Sequence, residues 1–234
     1  MNVRIKFVRK LTRIKAILIK ERIELFRNYK LLIIFALFPI VLAISLSLEV
    51  SGAWYMIMIM GVILPPIVCM ASQISEEREK GVLRGLIFAG LKWHEYIFGM
   101  VFTLWILTSL DFCAMATIAK SFTGIELGDY VIFVFLLGEI CSLLIGAIIG
   151  ITSKNQAGVS VMTIIVGMGL VFSAILGTFS TNIHHVTKIL YSQILVDAVA
   201  ANTATYKQLF IVVISIIVAA LLFWLAFRRR RSED

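Results

Sequence analysis

The sequence SEEREKGVLRGLIFAG, residues 75–90, decides how this chain is organised, because it is a long polar interruption between two strongly apolar spans. Its pattern predicts a helix. Ser75 is a preferred N-cap residue type, and Gly90 is a residue type that commonly ends helices. The first turn is acidic, which favours the positive end of a helix dipole; its carboxylates belong to Glu76, Glu77 and Glu79. A charged first turn and an apolar last turn are typical of a helix that lies at a membrane surface and presents its tip to another molecule.

The composition is that of a membrane protein. Of the 234 residues, 60% are hydrophobic and only 15% are charged, whereas soluble domains carry about 25% charged residues. The net charge of +8 is unevenly distributed, so the sequence does not favour nucleic acid as a partner. Three cysteines, Cys69, Cys113 and Cys141, lie in apolar runs without a CxxC motif. They therefore predict packing roles rather than disulfides or a metal site.

Residues 1–30 carry ten basic side chains. Apolar residues recur among them at helical spacing, from Val3 and Phe7 to Leu18 and Leu25. This pattern predicts a basic amphipathic helix that lies on an anionic membrane surface. The alternative is a solvated basic tail.

Six apolar spans follow, and we predict an all-α membrane protein with a single transmembrane domain over residues 1–234. A span of about 21 residues rises roughly 31 Å as a helix, which is enough to cross the hydrocarbon core. The predicted spans are 31–48, 53–73, 94–119, 130–152, 157–179 and 207–227. The segment 180–206 is too polar to span the membrane, and we expect one or two short helices there, either lying at the outer face or re-entering the membrane.

The basic residues predict the orientation. With the N-terminus inside, all but three of the 22 Lys and Arg residues lie on the cytoplasmic side; the exceptions are Lys120, Lys188 and Lys207. The positive-inside rule therefore places both termini in the cytoplasm and requires an even number of spans. We expect a multi-pass protein of the cell membrane.

Motifs of catalysis do not occur in the sequence. There is no GxxxxGK[ST] phosphate loop and no HExxH metal site. The adjacent residues His184 and His185 would point about 100° apart on a helix, which makes a poor pair of metal ligands. We therefore predict no catalytic residue, no metal and no cofactor in this chain.

Two carboxylates, Asp111 and Glu139, lie within predicted spans. Helix rise places each of them about 13 Å below the outer end of its span. Because a charge buried in a bilayer costs free energy, two carboxylates inside spans indicate a functional or structural role for each. They either line a substrate path that binds cationic groups of the cargo, or they hydrogen-bond neighbouring Ser and Thr side chains or lie at a subunit interface.

The span 130–152 has a small residue at every fourth position: Gly138, Ser142, Gly146 and Gly150. Small residues at this spacing let helices approach closely. The pattern predicts tight packing, either within the subunit or across a dimer.

This layout resembles the membrane subunit of type-2 ABC transporters, the permease family of many bacterial exporters. The most specific match is EREKG at residues 77–81 followed by Leu83 and Leu86, which is similar to the family pattern E-R-E-x-G-x-L just after the second span. The family often continues with Thr-Pro or Ser-Pro, whereas this chain has FAGL at residues 88–91.

The resemblance implies that residues 75–90 form a cytoplasmic coupling helix, which docks on a separate ATP-binding subunit. Two copies of the chain, as a homodimer, would form the pathway above two ATP-binding subunits that bind ATP and Mg, so the chain itself would not be an enzyme. The residues implied in coupling are Glu76, Glu77, Arg78, Glu79, Lys80 and Arg84 as polar contacts, Leu83, Leu86 and Ile87 as apolar contacts, and Gly81 between them.

The resemblance also implies export. Apolar walls favour an amphipathic cargo such as a peptide or an antimicrobial, and Asp111 and Glu139 favour a cationic one. Two alternatives belong to other classes. One is a self-contained ion-coupled carrier or channel with the two carboxylates as its ion site; the other is an immunity or sensor protein that binds its ligand in the membrane without transport.

Overall fold

The computed structural model describes residues 17, 19, 20, 22, 23, 29–48, 53–82, 85, 88, 93–153 and 155–231. This described part of the chain is helical and contains no strand. Its helices with defined bounds, numbered in chain order, are α1 (Tyr29–Ser47), α2 (Ala53–Glu79), α3 (Trp93–Thr123), α4 (Asp129–Thr152), α5 (Gln156–Phe179), α6 (Thr181–Thr187), α7 (Tyr191–Ala201) and α8 (Tyr206–Arg231).

Five helices of the described ranges are long and apolar enough to cross a membrane, namely α2, α3, α4, α5 and α8. Helix α1 contains a shorter apolar stretch, Leu32–Ser47. The predicted all-α membrane fold is therefore confirmed. The count of six spans stays a prediction, and α1 is the candidate for the sixth.

Helices α2 and α4 form the centre of the bundle. In α2, 72% of the apolar stretch is buried, and in α4 61%, compared with 17% in α8. Close approach explains this burial: a Cβ added at Gly146 would lie 2.6 Å from the carbonyl oxygen of Ile67, and one at Gly150 would lie 2.8 Å from that of Ala71. The small residues of α4 thus serve packing within the subunit, because they let its backbone touch that of α2.

The other helices surround this centre. Helices α1 and α3 pack on α2 and on each other, α5 packs on the opposite side of α2, and α8 packs on α4. The outward faces of α3, α5 and α8 carry large apolar side chains, as expected of surfaces that contact lipid.

Helix α7 lies inside the bundle rather than on its surface. It has 11 residues, so it rises roughly 16 Å and is too short to cross the membrane. Eight of its eleven residues are buried, and the helix packs against α2, α4, α5 and α8. The segment 180–206 therefore brings polar side chains into the protein interior.

The interruption at residues 75–90 is built differently from the sequence-based expectation. Helix α2 runs without a break through Ser75 and ends at Glu79. The prediction that a helix begins at Ser75 is therefore wrong: this residue is fully buried inside α2 and caps no helix. The chain turns at Gly81, whose φ of +71° is readily adopted by glycine. A new helical turn follows, in which the amide of Gly85 donates to the carbonyl of Gly81 at 3.1 Å.

Several predictions fall on residues that are not described. Leu83, Arg84, Leu86 and Ile87 lie outside the described residues, as does most of the predicted helix over residues 1–30. From that helix, Ile17 is described and is buried. It packs where α3 has a glycine, since a Cβ added at Gly99 would lie 2.6 Å from its side chain.

Candidate functional site

The last turn of α2 directs three consecutive side chains to three different helices. We call these residues, Glu77, Arg78 and Glu79, the hub. Successive residues of an α-helix point about 100° apart, and α2 is surrounded by other helices, so each hub side chain meets a different neighbour. Glu77 contacts α3, Arg78 contacts the end of α4, and Glu79 contacts the start of α5.

Glu77 is buried, with 4% of its surface exposed. One of its carboxylate oxygens accepts a hydrogen bond from the phenol of Tyr96 at 2.7 Å, and the other pairs with the ammonium group of Lys20. A buried carboxylate needs such partners because its desolvation is costly. Glu77 therefore faces the bundle, and its contact with an ATP-binding subunit stays a prediction.

Arg78 binds the carboxyl end of α4. Its Nη1 donates to the carbonyl oxygen of Ile151 at 2.9 Å and to that of Gly150 at 3.3 Å. The last carbonyl groups of a helix have no donor within that helix. A cation at this position also interacts favourably with the helix dipole. Arg78 therefore stabilises the end of α4 by hydrogen bonding and by charge.

Glu79 binds the amino end of α5. Its Oε1 accepts from the backbone amide of Gln156, the first residue of α5, at 2.7 Å. The side chain of Asn155 caps the same helix by accepting from the amide of Gly158 at 2.9 Å. A carboxylate at a helix N-terminus satisfies an amide without a partner and complements the dipole. The start of α5 is therefore fixed by Glu79 as well as by its own cap.

The surface beside the hub is open to solvent. Glu76 and Lys80 form an ion pair one helical turn apart, and both side chains are partly or largely exposed. Gly81 has open space around it, and the side chain of Phe88 is 89% exposed. Of the described residues predicted to contact a partner, Glu76, Glu79, Lys80 and Gly81 are thus accessible, Arg78 is half-buried and Glu77 is buried.

The two carboxylates within the spans differ in their surroundings. Glu139 is fully buried, and its Oε2 accepts from Thr108 Oγ1 at 3.0 Å and from Ser109 Oγ at 2.9 Å. Asp111 is half-buried and lies close enough to Glu139 for an electrostatic interaction. The sequence left two interpretations of Glu139, a place in a substrate path or hydrogen bonds to Ser and Thr. For Glu139 the structure shows the hydrogen bonds to Ser and Thr. Its place in a substrate path stays a prediction, as does that of Asp111.

A second polar cluster joins α7 to its neighbours. Tyr191 Oη and Ser142 Oγ are hydrogen-bonded at 3.0 Å. Gln193 accepts from Thr187 Oγ1 at 3.1 Å and donates to Asp197 Oδ1 at 2.9 Å. Sequence reasoning missed this cluster, although several polar residues in a short apolar segment were a signal for it.

The partners of the hub were also missed. Tyr96 stands in an apolar span, and the groups bound by Arg78 and Glu79 belong to the backbone, which no side-chain pattern reveals. A phenol within an apolar run was the one available signal, because a buried Tyr hydroxyl usually has a hydrogen-bond partner.

The fold and the hub define a multi-pass helical membrane protein whose helices are tied together where one central helix ends. Residues 12–191 match the family model described as ABC-2 type transporter. The chain therefore belongs to the ABC-2 type transporter family. The match includes α1 to α6, the hub and the segment after Gly81. Comparisons with curated proteins and with solved structures give no match.

Family membership makes the chain a membrane component of an ABC transporter. Such a component is generally not catalytic itself and associates with a separate ATP-binding subunit.

Proposed function

We propose that this chain is the permease subunit of an ATP-driven exporter, on which the ATP-binding subunit acts through the hub and the segment beyond Gly81. One observation carries the proposal: three consecutive residues at the end of α2 bind three other helices, and Lys80 and Gly81, which follow them directly, are exposed. A connector that only joined two spans would need no such contacts, because most connections are short and irregular.

The distribution of charge supports a cytoplasmic location for the hub. Lys20 and Arg78 lie at this end of the bundle. Helix α8 also ends here, since Phe223 and Phe227 pack in the same cluster as Tyr96, and the run of arginines from Arg228 follows them. The positive-inside rule assigns such an end to the cytoplasm.

Two sets of residues share the work of coupling in this proposal. Glu77, Arg78 and Glu79 bind within the chain. Contacts to the ATP-binding subunit come from Glu76, Lys80 and Gly81, together with the predicted residues Leu83, Arg84, Leu86 and Ile87. The complex contains two copies of this chain and two ATP-binding subunits, which bind ATP and Mg.

The cargo in this proposal is an amphipathic molecule, such as a peptide or an antimicrobial. Apolar helix faces and surrounding lipid suit its apolar part. Asp111, which is half-buried and accepts no hydrogen bond among the described residues, is the better candidate for contact with a cationic group, whereas Glu139 is enclosed. The same enclosure argues against an ion-coupled carrier, whose site requires access from water.

The first experiment is purification of the chain from its own cells in mild detergent, followed by mass spectrometry of bound proteins. We expect a stoichiometric subunit with a phosphate-binding loop, and its ATPase rate should rise when the complex is assembled in lipid. Candidate amphipathic cationic peptides should raise it further, and anionic peptides of equal length should not. Isolation of the chain alone would contradict the proposal.

A matched pair of substitutions tests the segment from Gly81 onward, which we call the coupling segment (residues 81–90). Gly81 and Gly124 both have positive φ and open surroundings, and the amide of each donates to a carbonyl of the preceding helix. Proline removes that amide and forbids positive φ. Gly81→Pro should abolish the stimulation of the ATPase while the complex still inserts, whereas Gly124→Pro, at the opposite end of α3, should not. Equal behaviour of the two variants would contradict the assignment.

A further inference from the structure

The hub contacts of Arg78 and Glu79 are made to backbone groups at helix ends. Arg78 binds the last carbonyls of α4, and Glu79 binds the first amide of α5. These two helices are joined only by residues 153–155. The connection between α4 and α5 is therefore held from both sides by neighbouring side chains of opposite charge, each of which complements the helix dipole that it meets.

These contacts reach a distant part of the chain. Arg78 is 73 residues from Ile151, and Glu79 is 77 residues from Gln156. By contrast, α3 follows the coupling segment directly in sequence. A displacement of that segment therefore moves α2 and α3 directly, because they are covalently joined to it. It can move α4 and α5 only through contacts between helices, and at this end those contacts include the hydrogen bonds of Arg78 and Glu79.

The packing above the hub favours joint movement. Gly150, whose carbonyl oxygen accepts from Arg78, also brings α4 into backbone contact with α2 at Ala71, about two helical turns before Arg78. Tight packing resists sliding, because interiors shift between discrete arrangements rather than deforming continuously. The ends of α2, α4 and α5 therefore have both polar and steric reasons to stay together.

We propose that Arg78 and Glu79 are positioning residues that make the hub ends of α4 and α5 move together with the end of α2 when the ATP-binding subunit displaces the coupling segment. This inference rests on the proposed function. It assigns the two residues to transmission within the chain, whereas the family resemblance had implied contacts with the partner subunit.

The first test uses the complete complex in lipid nanodiscs and measures stimulation, the ATPase rate of the complex divided by that of the ATP-binding subunit alone. Arg78→Gln and Glu79→Gln should each lower stimulation by up to about tenfold, because each hydrogen bond loses the charge that strengthens it. Co-purification of the two subunits should be unchanged. Arg78→Lys, which keeps a charge and donors, should show a smaller loss. Lys120→Gln, which removes an exposed ion pair at the opposite end, is the matched control.

The second test separates transmission from partner contact. Glu79→Cys and Gln156→Cys are combined with Cys113→Ser, because Cys113 is the exposed native cysteine. The thiol pair should show the low stimulation of Glu79→Gln, and bridging it with a short bifunctional thiol reagent should restore stimulation toward the wild-type value. A covalent bridge replaces a link between α2 and α5 but cannot replace a contact with another subunit.

The outcomes distinguish the inference from the function on which it rests. If bridging leaves stimulation low or blocks hydrolysis, α2 and α5 do not move together and the inference is overturned. Loss of co-purification in the Gln variants would also overturn it, because the residues would then bind the partner. A wild-type complex without any stimulation would instead refute the proposed function.

Discussion

The two ends of the helix bundle hold their helices together by different means. At the hub end, charged side chains of α2 bind the termini of neighbouring helices and a buried phenol. At the opposite end, α7 inserts between the helices, and its fully buried contacts are made by neutral groups, such as the pair of Tyr191 and Ser142; the carboxylate of Asp197 is only half-buried. At the hub end, charged side chains therefore hold the helices together by binding helix termini. At the opposite end, the packing of an inserted helix holds them together.

The difference follows from where unpaired backbone groups lie. Helix termini present carbonyls and amides without partners, and a charged side chain satisfies them more strongly than a neutral one does. Between its ends, by contrast, the backbone groups of an α-helix are bonded to one another, so a charged side chain finds fewer unpaired backbone groups there. Charged side chains can exchange these contacts for contacts with water or with a partner subunit, which suits the end on which we propose that the ATP-binding subunit acts.

The largest effect should come from a change that damages both ends. Gly146 lies on α4 between the hub and α7, in contact with the backbone of Ile67. Gly146→Leu forces α2 and α4 apart, and overpacking against backbone should cost about 3 kcal/mol or more. We expect no folded protein after detergent extraction, as measured by size-exclusion chromatography and thermal unfolding.

The control for this prediction is Gly169→Leu on the exposed face of α5, where nothing lies within 4 Å. It should fold normally, since leucine has a better helix propensity than glycine. Folding of both variants would mean that α2 and α4 are not packed at van der Waals contact.

The second largest effect should come from substitutions that change only the hub end of the bundle. Glu77→Gln removes the charge that partners Lys20 and weakens the acceptor of Tyr96. Breaking a buried pair costs several kcal/mol, but Lys20 is partly exposed, so we expect a loss of about 2 kcal/mol in the free energy of unfolding. Tyr96→Phe alone should cost about 1 kcal/mol.

Thermal unfolding of both single variants and the double variant gives the coupling between the two residues. We expect the double variant to be less destabilised than the sum, because residues that share a hydrogen bond are not independent. Full additivity would show that Tyr96 does not donate to Glu77.

Much of the fold could be predicted from the sequence, because the bilayer fixes the length and composition of spans. The predicted spans 130–152 and 157–179 lie within one residue of the bounds of α4 and α5. The hub could be predicted as a charged segment but not as a set of contacts. Its residues bind groups 19 to 77 residues away, and periodicity carries no information on such pairs.

The error at Ser75 has a related cause. Acidic residues favour helix N-termini, so Glu76 to Glu79 indicated a start, whereas they stand at the end of α2. Tertiary contacts of Glu77 and Glu79 outweigh the unfavourable dipole term there. Local sequence rules could not reveal these contacts, which depend on the packing of α3 and α5.

Replacement by glutamine can be compared at Glu139, inside the bundle, and at Glu77, in the hub. Glu139→Gln keeps an oxygen that accepts from Thr108 and Ser109, and no cationic partner of Glu139 occurs in the described ranges. We therefore expect a change of less than about 1 kcal/mol in the free energy of unfolding, compared with about 2 for Glu77→Gln. A larger loss at Glu139 would indicate a buried charge with its own counter-charge.

Stimulation of ATP hydrolysis by a cargo molecule separates the two interpretations of Asp111 and Glu139, a substrate path and a structural role. Asp111→Asn combined with Glu139→Gln should reduce the stimulation of ATP hydrolysis by a cationic peptide if the pair lines the cargo path. Unchanged stimulation and unchanged assembly would leave Glu139 with its structural role alone.

The smallest effect concerns an ion pair at the end opposite the hub. Lys120 and Glu126 lie 2.7 Å apart, and both side chains are exposed. The hydrogen bond and the charge of Lys120 lower the pKa of Glu126 from its ordinary value of 4.5. A carboxylate whose pKa is lower in the folded state adds stability above its unfolded pKa, and that stability is lost as the pH falls through the folded value.

Glu126→Gln therefore should lower stability slightly near neutral pH and not at all below the folded pKa of Glu126. The effect should shrink further with added salt, because exposed charges are screened. Thermal unfolding of wild type and Glu126→Gln across this pH range measures the difference. If Glu126→Gln cost as much as Glu77→Gln at neutral pH, burial would not be what separates the two ion pairs. The contrast between the two ends would then have to rest on the helix termini bound by Arg78 and Glu79 alone.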